Sequence, residues 1–514
     1  MKTSRPSKEL YHALRSLPWA ELWNQEVPRF NAASPRERFE RVAVIRAVGV
    51  VFEESGPPEL RAEVKSWLLG LLKDPEEKVR RYATAALPKF GVGRAEEAAL
   101  LQVMQAARSD REKSSVGEVL AKVGGVATAR ALESIGGIST GLVQKVAASV
   151  ARSQTPSSLR YVRRVSELPG LRIAFRGRKG LEGILRREVE ECGKFRVIDM
   201  SPGLLLVEAP GSFSLSDLYQ LRCFDTLGFL LGRVSPGNEE RWTESLATVI
   251  SSPLALQLME TLTEGSLRYR LDFVGKGHQR GAIRRVVSRA FERCPRILND
   301  PRESPWSIDV HPETAGGSVE LRPRLSPDPR HSYRLDAVPA ASHPPLAACL
   351  ARIAGTMPHE YIWDPFCGSG LELVEMSKLG RVQRVFGTDL SAEAVAITER
   401  NFQAAELGAI QTTFACCDFR DFAKVDGLRP QTLTLIITNP PLGRRVPIPN
   451  LRLLIEDLFA VAAKMLQVGG RMAFVNPFKM AASPQRSLRL EYQQVVDLGG
   501  FDCRLEVYRK TSVT

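Results

Sequence analysis

Tyr361-Ile-Trp-Asp-Pro-Phe-Cys-Gly-Ser-Gly370 and, further along, Ile436-Ile-Thr-Asn-Pro-Pro-Leu-Gly443 decide the reading of this chain. The first reads as a buried strand, Tyr361–Trp363, running into a glycine-rich turn. Gly368 and Gly370 let the backbone pass close to a ligand, where a Cβ would clash. The second is another apolar strand, Leu433–Ile437, ending in Asn-Pro-Pro. Its prolines remove two backbone donors, so the segment must leave the sheet as a rigid loop. Between the two lies Val385-Phe-Gly-Thr-Asp389-Leu-Ser. This apolar strand closes on an acid about twenty residues after the glycines, an offset that suits the ribose hydroxyls of a nucleoside cofactor.

These elements resemble the class I S-adenosylmethionine-dependent methyltransferases, in the subgroup that methylates exocyclic amino nitrogens. The resemblance implies that Asp364, Phe366, Cys367, Gly368 and Gly370 hold the methionine part of S-adenosylmethionine. It implies that Asp389, followed by Leu390, takes the ribose, and that Asp418, followed by Phe419, faces the adenine amine. Asn439, Pro440 and Pro441 match the loop that holds the target amine, with Leu442 where the family carries an aromatic ring. Leu371 replaces the family's usual Thr, and Glu375 matches an acid on the helix after the turn.

An exocyclic amino nitrogen is a poor nucleophile because its lone pair is delocalised into the ring. Acceptors for its two hydrogens, the Asn439 side-chain oxygen and the Pro440 carbonyl, favour a pyramidal nitrogen. Catalysis is then orientation and electrostatics. Phe478, after the next strand, is either the missing stacking ring or part of the core. Arg444 and Arg445 either hold the phosphate of a flipped nucleotide or lie on the surface.

The chain has 514 residues, 44% hydrophobic and 25% charged, which fits several globular domains. A formal net charge of +13 favours a polyanionic partner. The eight cysteines include no Cys-x-x-Cys pair and the six histidines do not join them, so no metal site and a reducing compartment are expected. No apolar run is long enough for a membrane span, and the N-terminus lacks the apolar core of a secretory signal. A cytoplasmic protein with no membrane partner is expected.

Residues 1–165 read as an all-α helical region. Asp74 and Pro75 supply a cap and a first-turn proline, and Val79, Tyr82, Ala83, Ala86 and Leu87 share one face. This resembles a HEAT-type repeat, with weaker echoes at 41–49 and 115–124. Gly49, Gly91 and Gly124 would close helices 42 and 33 residues apart.

Residues 166–335 read as α+β. Strands Leu171–Phe175, Phe195–Asp199 and Leu204–Glu208 surround a helix bounded by Gly177 and Gly193, with Leu215–Leu230 as a second helix, a ferredoxin-like order. Strand Tyr269–Val274 leads into a loop with Lys276, His278 and Arg280 at a helix start, and Arg284, Arg285 and Arg289 face outward. The region from about 171 to 323 resembles a THUMP RNA-binding domain with its ferredoxin-like neighbour. Residues 336–514 alternate strand and helix, a doubly wound, Rossmann-like parallel sheet.

The expected function is methyl transfer from S-adenosylmethionine to the guanosine amino group (N2-methylguanosine) in structured RNA, tRNA before 23S rRNA. The acceptor stem is the first candidate, and the N-terminal helices are left either to recruit a protein or to extend the RNA surface. Two other enzymes use such a loop, an N6-adenine methyltransferase on RNA or DNA and a protein glutamine methyltransferase. A non-catalytic RNA-associated scaffold is the alternative of a different class.

Overall fold

The structure is a computed structural model. It describes residues 6–135, 138–166, 168–276, 279–313, 316–339, 341–443, 448–478 and 485–512. His278, Arg444 and Arg445, three of the expected RNA-contacting side chains, lie outside these residues. The chain forms two compact units, Met1–Ser158 with Leu231–Val319, and Leu159–Leu230 with Glu320–Thr514. Among the described residues, no helix is long and apolar enough to cross a membrane.

The second unit contains the C-terminal sheet. Its strands are β1 (Glu360–Asp364), β2 (Val382–Asp389), β3 (Gln411–Cys416), β4 (Leu433–Thr438), β5 (Leu466–Asn476), β6 (Leu488–Asp497) and β7 (Asp502–Lys510). The order is β3-β2-β1-β4-β5-β7-β6. Parallel registers Trp363↔Phe386 and Trp363↔Ile436 align β1 with both neighbours, whereas β7 runs antiparallel to β5. The chain leaves β1 towards β2 on one side and returns to β4 on the other. Asp364, Asp389 and the residue after Thr438 therefore meet at one carboxyl edge, at a topological switch point.

Four helices complete this part: α1 (Pro344–Ala354), α2 (Leu371–Leu379), α3 (Ala392–Ala404) and α4 (Leu451–Met465). Trp363, Phe386, Ile436, Leu458, Phe459, Phe474 and Tyr508 fill one face of the sheet. Arg471 is buried inside it, paired with Glu360 at 2.6 Å and donating to the Ala354 carbonyl at 2.5 Å at the end of α1. Such a charge is tolerated in a core only because its donors are taken up.

The same unit holds an antiparallel arrangement of strands Arg172–Arg176, Arg196–Ser201 and Leu204–Glu208 with helix Glu182–Cys192. The expected helix over Leu215–Leu230 is corrected: a short helix, Leu215–Leu218, precedes a strand, Thr226–Val234. Leu227, Gly228 and Phe229 are all buried, and a run buried on both faces carries no period that separates strand from helix. At Gly228 a Cβ would lie 2.8 Å from the Glu320 Cβ, so the glycine lets the backbones approach.

The first unit begins with helices that include Ala43–Ser55, Glu77–Ala86, Asp110–Val123 and Thr140–Gln154. Val79, Ala83, Ala86 and Leu87 are buried as the spacing predicts. One detail differs. Gly49 sits inside helix Ala43–Ser55 and closes nothing, so the glycine spacing loses its first mark. Arg80 is spent inside the fold, donating to buried Glu112 at 2.6 and 2.8 Å and to the Asp74 carbonyl at 2.7 Å.

Strand Leu267–Phe273 pairs in parallel with Trp306–Glu313 and Ile297–Asn299 in this unit, and helix Arg280–Arg293 follows it. Asp300, fully buried, receives a forked pair of hydrogen bonds from Arg152 at 2.8 and 2.9 Å. Burial pushes its carboxyl up, but the Arg152 bonds outweigh this and hold it below the usual carboxylate range.

Candidate active site

The glycine turn is built by backbone that only glycine adopts easily: Gly368 has φ +52° and Gly370 φ +77°. At Gly370 a Cβ would also lie 3.0 Å from the Thr398 side chain of α3. Thr398 donates to the Gly368 carbonyl at 3.0 Å, and the Gly368 N–H donates to Asp389 Oδ2 at 3.0 Å. The other Asp389 oxygen accepts from the Ser391 N–H at 3.0 Å. Turn and acid are thus locked to each other before any ligand arrives.

Asp364 is wholly buried. Its Oδ1 accepts from Thr438 at 2.5 Å and from the Phe366 N–H at 2.9 Å, while its Oδ2 has no hydrogen-bond partner. Glu372, near the start of α2, is buried as well. Burial pushes both carboxyls up, and each acid's neighbours include further acids: Glu372 and Asp389 bear on Asp364, Glu375 on Glu372. No cation pairs with either among the described residues. A pocket edge of clustered acids with an unsatisfied oxygen suits a ligand bearing positive charge, which the sulfonium and ammonium of S-adenosylmethionine provide. The residues present therefore fit that cofactor.

Asp364 is raised, so the sign follows directly. A carboxyl that retains its proton in the folded state contributes stability below its ordinary value, and this is lost as pH rises through its folded value. Asp364→Asn keeps the Oδ1 bonds and removes the charge. The ligand-free variant is expected to melt higher than the parent at neutral pH, with a flatter fall as pH rises. Its cofactor affinity should drop about tenfold or more, the scale of one charge-assisted bond. A melting series across pH with calorimetric titration checks both; parallel pH curves would remove Asp364 from this account.

Asn439 follows β4. Its Nδ2 donates to Ser342 at 2.9 Å, and the Ser342 hydroxyl donates in turn to Glu372. The Asn439 Oδ1 is buried and unpartnered. Ser342 and Glu372 thus take up the amide's NH2 group and leave its acceptor oxygen for something else. Pro440 is buried, and Pro441 and Leu442 are half-buried.

Other expected residues fall as follows. Phe366 packs against buried Phe419, ring centroids 4.9 Å apart, so both belong to one wall. Cys367 is buried and Leu390 is 74% exposed. The Asp418 carboxylate is engaged by Arg420, through its N–H at 2.9 Å and its guanidinium at 2.8 Å. Phe478 is half-buried against the core cluster of the sheet, and its N–H donates to Asn476 at 2.9 Å. Lys276, Arg280, Arg284 and Arg285 belong to the other unit and are exposed. Arg285 is ion-paired with Glu239, and Arg289 pairs with Glu244 at 3.3 Å, so only part of that basic face carries free charge.

Sequence reasoning missed Ser342, Glu372 and Asn401. Asn401 is buried on α3, accepts from the N–H groups of Leu335 and Asp336 at 2.9 and 3.2 Å, and donates to the Ser369 carbonyl at 2.9 Å. It ties the segment before α1 to the glycine turn.

Known proteins resemble this chain in sequence and fold. Residues 331–495 match a family described as RMKL-like, methyltransferase domain. The chain is 30% identical over 348 residues to the tRNA (guanine(6)-N2)-methyltransferase of Thermus thermophilus, covering 64% of this chain and 97% of that one. It is 28% identical over 148 residues to the tRNA (guanine(10)-N2)-dimethyltransferase of Methanothermobacter thermautotrophicus, covering 27% and 41%. The crystal structure of TrmN from Thermus thermophilus shares the fold at a TM-score of 0.51 and 21% identity, over 66% of this chain and 99% of that one.

Proposed function

The chain belongs to the family of tRNA guanine-N2-methyltransferases, and from that premise we propose how its site performs the reaction and where on tRNA it acts. It methylates the exocyclic amino group of guanosine in tRNA. S-adenosylmethionine, when bound, supplies the electrophilic methyl group, and Asp364, Asp389 and the Gly368–Gly370 turn are the residues to hold it.

The unpartnered Oδ1 of Asn439 carries the mechanism. It accepts one hydrogen of the guanine amine, and the Pro440 carbonyl accepts the other, which turns the nitrogen lone pair outward. Ser342 and Glu372 keep the amide from presenting its own NH2 group to the substrate. No strong base is needed, because the nitrogen becomes acidic once methylated and then releases its proton.

We place the target in the acceptor stem, consistent with the guanine(6) specificity of the Thermus relative. Lys276, Arg280 and Arg284 are assigned to RNA phosphate contact in a THUMP-like module, and the N-terminal helices, read as HEAT-like repeats, to a further RNA or protein surface. A cytoplasmic setting, and 23S rRNA as second substrate, belong to the same reading. Incubating the protein with unmodified tRNA transcripts and methyl-labelled S-adenosylmethionine, followed by nucleoside mass spectrometry, is expected to yield N2-methylguanosine. N6-methyladenosine would overturn the base assignment, and no product on any tRNA would overturn the enzyme reading.

A further inference from the structure

Two guanidinium groups and an imidazole from three separate segments lie beside the amine clamp, and the mechanism above uses none of them. Arg178 lies in the loop after strand Arg172–Arg176, Arg334 in the segment that Asn401 ties down, and His343 caps α1. His343 directly follows Ser342, the residue that takes the Asn439 Nδ2 at 2.9 Å. One residue therefore separates this cluster from the clamp.

Neither guanidinium has a hydrogen-bond or ion-pair partner among the described residues, and the Nε of each is buried without an acceptor. Burial, and then the positive charges of both together with that of His331, hold the His343 imidazole below its ordinary value despite Asp225, so it serves as a neutral N–H donor and the two arginines carry the charge. Two carboxylates lie nearby. Asp225 Oδ1 is 3.4 Å from His343 Nδ1. Asp497, in the field of Arg178, spends its carboxylate on the N–H groups of Gly499 and Gly500 at 2.8 Å each. One free carboxylate does not balance two guanidinium groups whose Nε donors are buried without acceptors, and drawing like charges together costs free energy unless an anion joins them. The backbone does not compete for that anion: α1 begins Pro344-Pro345, which have no N–H, so side chains are the donors while the helix dipole still favours negative charge.

We propose that Arg178, Arg334 and His343 form a phosphodiester site that grips the RNA backbone next to the target guanosine when its base is turned into the pocket. The inference rests on the guanosine reading above. Guanidinium forks match phosphate oxygens in pairs, so the two arginines fix the backbone in position while Asn439 reads the amine.

The test uses the full-length protein with Arg178→Gln, Arg334→Gln, the double variant and the charge-preserving Arg334→Lys. Binding of tRNA is followed by fluorescence anisotropy across a salt series, separately from turnover. Each glutamine variant is expected to raise the tRNA KM about tenfold and to lower the slope of log affinity against log salt by about one, with S-adenosylmethionine affinity by calorimetry unchanged. Arg334→Lys should restore the slope but only part of the KM, since it keeps charge and loses the fork. An unchanged slope in the double variant, or a loss of cofactor affinity equal to the loss for tRNA, overturns the site. Because binding is read without turnover, this failure is distinct from a parent protein that binds tRNA and makes no N2-methylguanosine, which would sink the guanosine reading instead.

Discussion

Asn439→Ala is expected to lower kcat on the order of 10²–10³-fold, the scale of deleting one preorganised group that acts at the reacting centre. Its affinity for S-adenosylmethionine should stay that of the parent, because Asn439 shares no hydrogen bond with the glycine turn or Asp389. The loss then appears in kcat with tRNA and cofactor both saturating, not in KM. Ser342→Ala makes a sharper test. It leaves every atom of Asn439 in place but frees the amide to turn, so kcat should fall about tenfold through lost orientation alone. If Asn439→Ala turns over at the parental rate, the amine clamp is wrong; if only Ser342→Ala does, the amide is held by other means.

Arg222→Ala carries the largest expected cost in stability. Arg222 grips Glu375 with two hydrogen bonds of 2.6 Å, and Tyr333 donates to the same carboxylate at 2.6 Å. Burial would raise Glu375, yet hydrogen bonds from Arg222, His331 and Tyr333 overcome it and hold the acid down at about 2. Removing the arginine leaves a buried carboxylate without its counter-ion, a change that costs about 3–5 kcal/mol. The pH window follows from the depressed value: the contribution is fully present above the ordinary carboxylate value of 4.5 and is lost as pH falls towards about 2. Chemical denaturation at neutral pH should show the drop, and the gap between parent and variant should narrow as pH is lowered. An equal gap at all pH values would mean that Arg222 contributes by packing alone.

Much of the site was legible because its elements are local. The glycine turn, the acid at the end of β2 and the Asn-Pro-Pro exit from β4 are short segments whose residue types dictate their backbone, and each was found where expected. Ser342 was not legible. In Ala-Ala-Ser-His-Pro-Pro it looks like any loop serine before a helix, and its value comes from a contact 97 residues away in sequence. Glu372 reads as an ordinary acid in a helix's first turn, and only the tertiary packing shows it to be buried. The strand at Thr226–Val234 failed for a different reason: an apolar run buried on both faces lacks the alternation that marks a strand. Gly49 failed because a glycine inside a helix and one that ends a helix look alike in sequence.

The division of the chain into units drawn from alternating stretches also bears on how the protein is made. In the first unit Arg152 waits for Asp300, 148 residues on, and in the second Arg222 waits for Glu375, 153 residues on. During synthesis the N-terminal helices therefore emerge long before the strands they pack with, and the loop between Leu215–Leu218 and Thr226–Val234, which carries Arg222, emerges long before α2, whose Glu375 neutralises it. Closure over such separations slows folding and lengthens the exposure of apolar surface. Fragments cut at the helical boundary near 165 or ahead of the methyltransferase segment near 335 would each sever one of these pairs. Such pieces are expected to aggregate when expressed alone and to become soluble only when their complementary stretches are supplied together.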